Sequence, residues 1–166
     1  AGAASCDGWN VEHAEAMAAV YAEHPADLDV AALYAEALMI LTPWALWDMR
    51  TGAPAPGSRA GEATAVLQAA VGREGGVRHP GVLHYWIHLW EMSTTPERAL
   101  AAADHLRDLV PDSGHLRHMP THIDVLCGDY PRVVACNQDA VRADERYLVA
   151  RGAHNFYTLY RCHNLH

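Results

Sequence analysis

"YWIHLWEMSTTPERALAAADHLRDLVP", residues 85–111, aligns without a gap on "MPTHIDVLCGDYPRVVACNQDAVRADE", residues 119–145, when the chain is shifted by 34 residues. In both segments a polar turn precedes a run of helix-forming residues, and Ala99 falls on Val133. Apolar residues recur at helical rather than alternating spacing in both. A shift of this length therefore predicts a hairpin of two helices that occurs at least twice along the chain.

The rest of the chain has the same helical spacing, and no segment is a credible strand. Gly and Pro clusters separate the helices, and the longest irregular stretch, residues 51–61, interrupts helices of one type rather than two domains. We therefore predict a single all-α domain over residues 1–166. Helices are predicted at 10–23, 28–41, 60–72, 80–93, 96–109, 114–127, 130–149 and 155–166. Pro120 should kink the sixth of these or delay its start, because proline removes a backbone hydrogen bond.

The repeated segment resembles tetratricopeptide repeats. Ala99, Ala103 and Leu106 followed by Pro111 match the second helix of such a repeat and its terminating proline, and "GDYPRVVACNQDAV" looks like the turn and second helix of the next one. The resemblance is best over about residues 80–145. It implies a right-handed stack of antiparallel helix hairpins, an α-solenoid, whose first helices line a concave groove that binds a peptide or protein.

The shift of 34 residues also aligns histidines, because it places His84 on His118 and His88 on His122. Within each helix the two residues are four apart, so both imidazoles lie on one face, about 6 Å apart. Two histidines at this spacing commonly offer nitrogens to one metal ion. The resemblance implies that His84, His88 and Glu91 point into the groove, and that His118 and His122 lie beside them.

Further candidates come from the C-terminal "YTLYRCHNLH", where His163 and His166 share a helical face and Tyr160 lies one turn earlier. The predicted metal ligands are His84, His88, His118, His122, His163 and His166, with His115 as an additional candidate. Glu91 is predicted to be a ligand, an acceptor for an imidazole N–H, or a general base, and Tyr160 is a weaker catalytic candidate. Surface or loop roles are expected for the other histidines: His13, His24, His79, His105 and His154.

Composition limits the possible partners. The 166 residues have a formal net charge of −8 from only 19% charged residues, so there is no basic patch for nucleic acid. No apolar run approaches the roughly 18 residues that span a membrane, and we expect a soluble, cytoplasmic protein. Cys6, Cys127, Cys136 and Cys162 form no CxxC pair and are expected to be buried free thiols. Trp44 and Trp47 are expected to lie in the core or the groove wall.

The sequence leaves several functions open. A histidine-rich groove suits copper, zinc or iron, as one ion or two, and would support an oxidoreductase or hydrolase acting on a small molecule. A tetratricopeptide scaffold that grips a peptide is the alternative from another class, and metal storage or sensing is a third. A metal-free, pH-responsive groove and purely structural histidines are weaker interpretations.

Overall fold

The computed structural model describes the backbone of residues 6–164 and the side chains of residues 8–164. All regular secondary structure in this part of the chain is helical, which confirms the predicted all-α class. The α-helices are α1 Cys6–Glu23, α2 Leu28–Met39, α3 Ala60–Val71, α4 Pro80–Glu91, α5 Leu100–Leu106, α6 Gly114–His118, α7 Thr121–Leu126, α8 Tyr130–Arg151 and α9 Thr158–Asn164.

Capping residues account for the starts of α2 and α4. The Asp27 carboxylate accepts hydrogen bonds from the backbone N–H groups of Asp29 and Val30 at the start of α2. Nδ1 of His79 accepts from the N–H of Val82, and Pro80 follows as the first residue of α4. His79, for which a surface or loop role was expected, therefore caps the N-terminus of α4.

Four predicted helices differ from those observed by three residues or more, and the first of them, predicted at 10–23, begins at Cys6. The predicted helix 96–109 begins as a 3-10 turn, Pro96–Ala99, before α5. The predicted helix 114–127 is divided into α6 and α7 at Met119 and Pro120, because Pro120 has no N–H to continue the backbone ladder. The last helix begins at 158 rather than 155, because the Asn155 side chain holds a turn by bonding to Gly152 O and Tyr157 N.

The packing of successive helices brings the predicted ligands together. Helix α2 packs on α3 and α4, α4 packs on α5 and α7, α6 and α7 pack on α8, and α9 contacts α6 and α8. One continuous apolar core joins these helices, and its largest fully buried side chains include Leu38, Leu67, Leu83, Ile87 and Met119. As a result α4, α6, α7 and α9, which carry the predicted ligands, lie next to one another.

The segment between α2 and α3 packs onto α4 through one tryptophan. Trp47 donates a hydrogen bond to Leu89 O at 2.6 Å and stacks on Trp90 with ring centroids 4.8 Å apart. Trp44 is different, because it is 73% exposed and its backbone has a φ of 63°, in the left-handed region. Trp47 therefore packs against the core as predicted, whereas Trp44 is largely exposed and lines a cavity beside α4.

Not all the cysteines are buried, contrary to the prediction. Cys136 is a buried free thiol, but Cys127 and Cys162 are free and exposed. The Cys6 side chain lies outside the described residues. None of the helices in the described range has the length and apolar composition to cross a membrane.

Candidate metal centre

A first histidine triad, triad 1, joins α4 to α6. His84 and His88 extend from consecutive turns of α4, and His115 reaches them from the first turn of α6. Nε2 of His84 lies 3.1 Å from Nε2 of His88 and 3.2 Å from Nε2 of His115. Nitrogens of all three rings lie within 4.8 Å of one another, a spacing at which they could hold one metal ion.

A second triad, triad 2, joins α6 and α7 to α9. It consists of His118, His122 and His163, whose candidate ligand nitrogens also lie within 4.8 Å of one another. Nε2 of His118 and Nε2 of His122 are 3.0 Å apart, although the helix is interrupted between them at Pro120. Two triads in the described chain could thus each bind a metal ion.

The carboxylate of Glu91 links the two triads. One of its oxygens lies 2.8 Å from Nδ1 of His88, and the other contacts Nδ1 of His122. Glu91 is only 8% exposed, so water competes little for either oxygen. The triads are adjacent, because the ring centroids of His88 and His122 are 5.7 Å apart and those of His115 and His163 are 5.5 Å apart.

The partners of Nδ1 determine which ring nitrogens carry protons. An ionised carboxylate and an amide oxygen can only accept hydrogen bonds. The Nδ1 atoms of His88 and His122 therefore donate to Glu91, and Nδ1 of His118 donates to the amide oxygen of Asn137 at 2.8 Å. A neutral imidazole has one N–H, so in each of these rings Nε2 carries a lone pair directed into its triad.

The resulting geometry suits a cation. In the neutral state, the Nε2 atoms of His118 and His122 present two lone pairs to each other at 3.0 Å, with no proton between them. Two imidazole nitrogens each bound at about 2.0–2.1 Å to one ion, at angles between about 90° and 110°, are separated by about 2.9–3.4 Å. The three Nε2 separations, 3.0, 3.1 and 3.2 Å, all fall within this range.

Burial keeps the rings of His84, His115 and His118 neutral, the form that binds metals. Burial lowers the pKa of His84 to about 2, with the charges of His88, His115 and His122 acting in the same direction. Burial and neighbouring histidines likewise lower the pKa values of His115 and His118 to about 4, although the Asn137 hydrogen bond partly opposes the change at His118.

Glu91 behaves in the opposite way to an ordinary buried acid. Burial raises its pKa, but the hydrogen bonds from His122 and His88 outweigh burial and bring the pKa down to about 2. The carboxylate is therefore ionised at neutral pH. It supplies the negative charge that partly offsets that of any cation bound in either triad.

The α9 helix, which carries His163, is held by a buried carboxylate. Asp144 on α8 is 3% exposed and accepts hydrogen bonds from the Tyr157 hydroxyl at 2.6 Å and from the Asn164 side chain at 2.8 Å. Gly114 permits this packing, because a Cβ at that position would lie 1.9 Å from an Asp144 oxygen. Asp144 thus places the helix turn that completes triad 2.

Most of the sequence-predicted residues meet at this centre. His84, His88, His115, His118, His122 and His163 form the triads, and Glu91 has the geometry of an acceptor for imidazole N–H groups. The Tyr160 ring lies edge-on to His115, with centroids 5.1 Å apart, and His166 lies outside the described residues. His13, His24, His105 and His154 are exposed, as expected.

The sequence interpretation missed the residues that support the ligands. Asn137, Asp144 and Asn164 hold His118 or α9, yet none of them follows the 34-residue shift that identified the histidines. The only available signal was weak: Asn137 and Asp144 are seven apart, and so share one face of α8. Asn164 is adjacent to His163 but has no distinguishing spacing of its own.

Three cavities border the centre. One of about 290 Å³ has His88 and Glu91 in its wall, together with apolar residues from α2 and the segment after it. A second, of about 220 Å³, is lined by His118, His122 and His163 with Val125 and Val133. A third, of about 600 Å³, has His84 in its wall between residues of α2 and α4. Each triad is therefore accessible to a small molecule.

No protein-family model, curated protein or solved structure matches this chain. The chemistry open to the centre follows from its six imidazoles and one carboxylate.

Proposed function

We propose that the protein binds two copper ions, one in each histidine triad, and uses the pair to oxidise a small molecule with dioxygen. The observation that carries the proposal is the Glu91 carboxylate, which accepts Nδ1–H from one ring of each triad. It thereby orients a ring of each triad with its Nε2 lone pair facing inward. Such carboxylate–histidine pairs typically support metal ligands.

The donor set favours copper over iron. Mononuclear non-haem iron sites that activate dioxygen commonly use two histidines and a carboxylate. Here both Glu91 oxygens are engaged by His88 and His122, so each triad offers three imidazoles and no carboxylate. Imidazole nitrogens suit copper and zinc, and copper(II) binds such ligands most strongly among the divalent ions of its series.

The proximity of the two triads is compatible with a two-electron oxidation. Two copper ions held in neighbouring triads would together take up the two electrons that are released when an alcohol is dehydrogenated to a carbonyl or a catechol to a quinone. Dioxygen would accept these two electrons and the two protons from the substrate to give hydrogen peroxide, which balances the oxidation. Paired metal ions also occur in hydrolases, so the preference for oxidation rests on the all-imidazole donor sets, which bind copper more strongly than zinc.

We also propose that the domain is a tetratricopeptide-like, right-handed α-solenoid with the triads in its groove. The successive packing of α2 on α4, α4 on α7 and α6 on α9 supports a stack of first helices. A peptide-binding scaffold is less well supported, because the groove positions contact one another: His84 reaches His115, and His118 is only 5% exposed. A peptide would have to separate these rings.

Anaerobic loading followed by oxygen measurement tests the proposal. Protein without an affinity tag is loaded with Cu(I), freed of excess metal, and mixed with a known amount of dioxygen. We expect one dioxygen consumed for each two Cu(I), with one hydrogen peroxide formed. Bound copper that reduces no dioxygen indicates storage or sensing. Failure to bind copper, combined with tight zinc binding, would instead favour the hydrolase.

A further inference from the structure

The cavity of about 290 Å³ beside triad 1 has a mostly apolar lining with acidic groups, which favours one class of ligand. Its walls come from the end of α2, the segment that follows, and α4. Most of the lining side chains are apolar or aromatic, namely Met39, Ile40, Trp44, Leu46, Tyr85 and Met92. This volume is at the small end of ligand pockets, which begin at about 300 Å³, and it suits a molecule with a single ring.

The charge of the cavity is negative. The described residues that line it include the carboxylates of Glu36 and Glu91, and no arginine is among them. Glu91 is already engaged by His88 and His122, which leaves Glu36 as the carboxylate that can receive a ligand. Glu36 is partly buried on α2, where an apolar wall strengthens its attraction for an opposite charge.

Two further features favour a cation. Helix α2 ends at Met39, and both Met39 and Ile40 line the cavity, so the C-terminal turn of the helix, where its dipole is negative, borders the same space. Trp44 presents a largely exposed indole at the cavity, and an indole face attracts cations. Its left-handed backbone, with φ at 63°, is the kind of local strain that is common at ligand clamps.

We propose that this cavity binds a small primary amine with an aromatic or apolar body, its ammonium group paired with Glu36 and its body packed between Trp44 and the methionines. The proposal goes beyond the proposed copper chemistry and does not require it, because none of these contacts involves a metal ion. If both proposals hold, the body of the amine lies beside His88, which lines the cavity and also belongs to triad 1.

Three probes of similar size and different charge test the proposal: 2-phenylethylamine, 2-phenylethanol and 3-phenylpropanoate. Their binding to the full chain is measured by calorimetry near neutral pH, with and without a chelator, so that coordination of the amine to a metal is distinguished from pairing with Glu36. In the presence of the chelator we expect the amine to bind at least about tenfold more tightly than the alcohol, and the carboxylate most weakly.

Variants assign the effect to named residues. In Glu36→Gln, amine affinity should fall about tenfold to that of the alcohol, while alcohol affinity is unchanged. Glu23→Gln removes the same charge from an exposed site on α1 and should leave all three affinities unchanged. Trp44→Ala should weaken both amine and alcohol. Circular dichroism confirms that each variant is folded.

The outcomes are separable from those of the copper proposal. Equal affinity for amine and alcohol, an amine preference that survives Glu36→Gln, or no binding of any probe would each overturn the amine site. None of these results changes the number of copper ions bound. Conversely, a chain that binds no copper can still prefer the amine through Glu36.

Discussion

Nε2 of His118 lies 3.0 Å from Nε2 of His122, and on the far side of each ring Nδ1 faces an oxygen that accepts hydrogen bonds. Both rings thus donate outward and direct lone pairs at each other. Burial also disfavours a shared proton, since it lowers the pKa of His118 to about 4. A metal cation is the partner that satisfies both nitrogens at neutral pH.

Replacing Glu91 with glutamine should weaken one of the two metal sites selectively. A glutamine can accept one Nδ1–H through its oxygen, but its NH₂ group can only donate. The second histidine would have to move its proton to Nε2, which then cannot bind metal. We expect one copper ion to bind about 10–100-fold more weakly in Glu91→Gln and the other to be retained, as measured by competitive copper titration.

Glu97→Gln is the matched control for this variant, because Glu97 is an exposed carboxylate shortly after α4. It should bind both copper ions as the unmodified protein does. Equal weakening of both ions in Glu91→Gln, or no weakening of either, would contradict the bridging role assigned to the carboxylate.

The two triads should lose metal independently. His84→Ala removes one ligand from triad 1, and His122→Ala removes one from triad 2, so each variant should retain one tightly bound copper ion per chain. The double variant should retain none and remain helical by circular dichroism, because neither ring belongs to the apolar core. His105→Ala, at an exposed position on α5, is the control and should retain both ions. Loss of both ions in either single variant would show one shared site.

A methyl group at position 114 should be destabilising. In Gly114→Ala the new Cβ would clash with the Asp144 carboxylate, which anchors α9 through Tyr157 and Asn164. Overpacking of this kind typically costs about 1–3 kcal/mol in the free energy of unfolding, measured by chemical denaturation. The matched control is Gly61→Ala in α3, where the nearest atom is 4.0 Å away and alanine favours the helix. Equal stability of the two variants would contradict the packing of α6 against α8.

Acid should destabilise the metal-free protein. The unfolded chain takes up protons on its histidines as the pH falls below 6.5, whereas in the folded state His115 and His118 remain neutral until about pH 4. The contribution of these two histidines to the free energy of unfolding is therefore fully present above pH 6.5 and is lost progressively between pH 6.5 and about 4. Denaturation of chelated protein should show the free energy of unfolding lower by at least about 2 kcal/mol at pH 5 than at pH 7.5. Equal or greater stability at pH 5 would contradict the burial of neutral imidazoles.

The sequence predicted those features that depend on local spacing. Apolar periodicity and the Gly and Pro clusters located the helices to within a few residues for most elements, and the 34-residue shift brought the pairs on α4 and α6–α7 together. Pro120 was correctly expected to interrupt its helix. Periodicity could not predict that Pro96 would start a 3-10 turn, because both helix types have similar spacing over four residues.

Contacts between distant parts of the chain could not be predicted from residue spacing. His115 is three residues before His118, yet its Nε2 joins His84 in the other triad, because successive turns of α6 present the two rings to different neighbours. The role of Asp144 depends on the approach of α9, which follows an irregular connection of six residues. Exposed Cys127 and Cys162 were wrongly expected to be buried, because cysteine composition alone does not determine which side of a short helix faces the solvent.

The most direct measurement is the copper content of the protein after anaerobic loading and removal of excess metal. The protein should carry no affinity tag, and elemental analysis should be combined with an accurate protein concentration. Two triads, each with converging imidazole nitrogens, predict two copper ions per chain. A chain that retains no copper under these conditions would contradict the dinuclear centre.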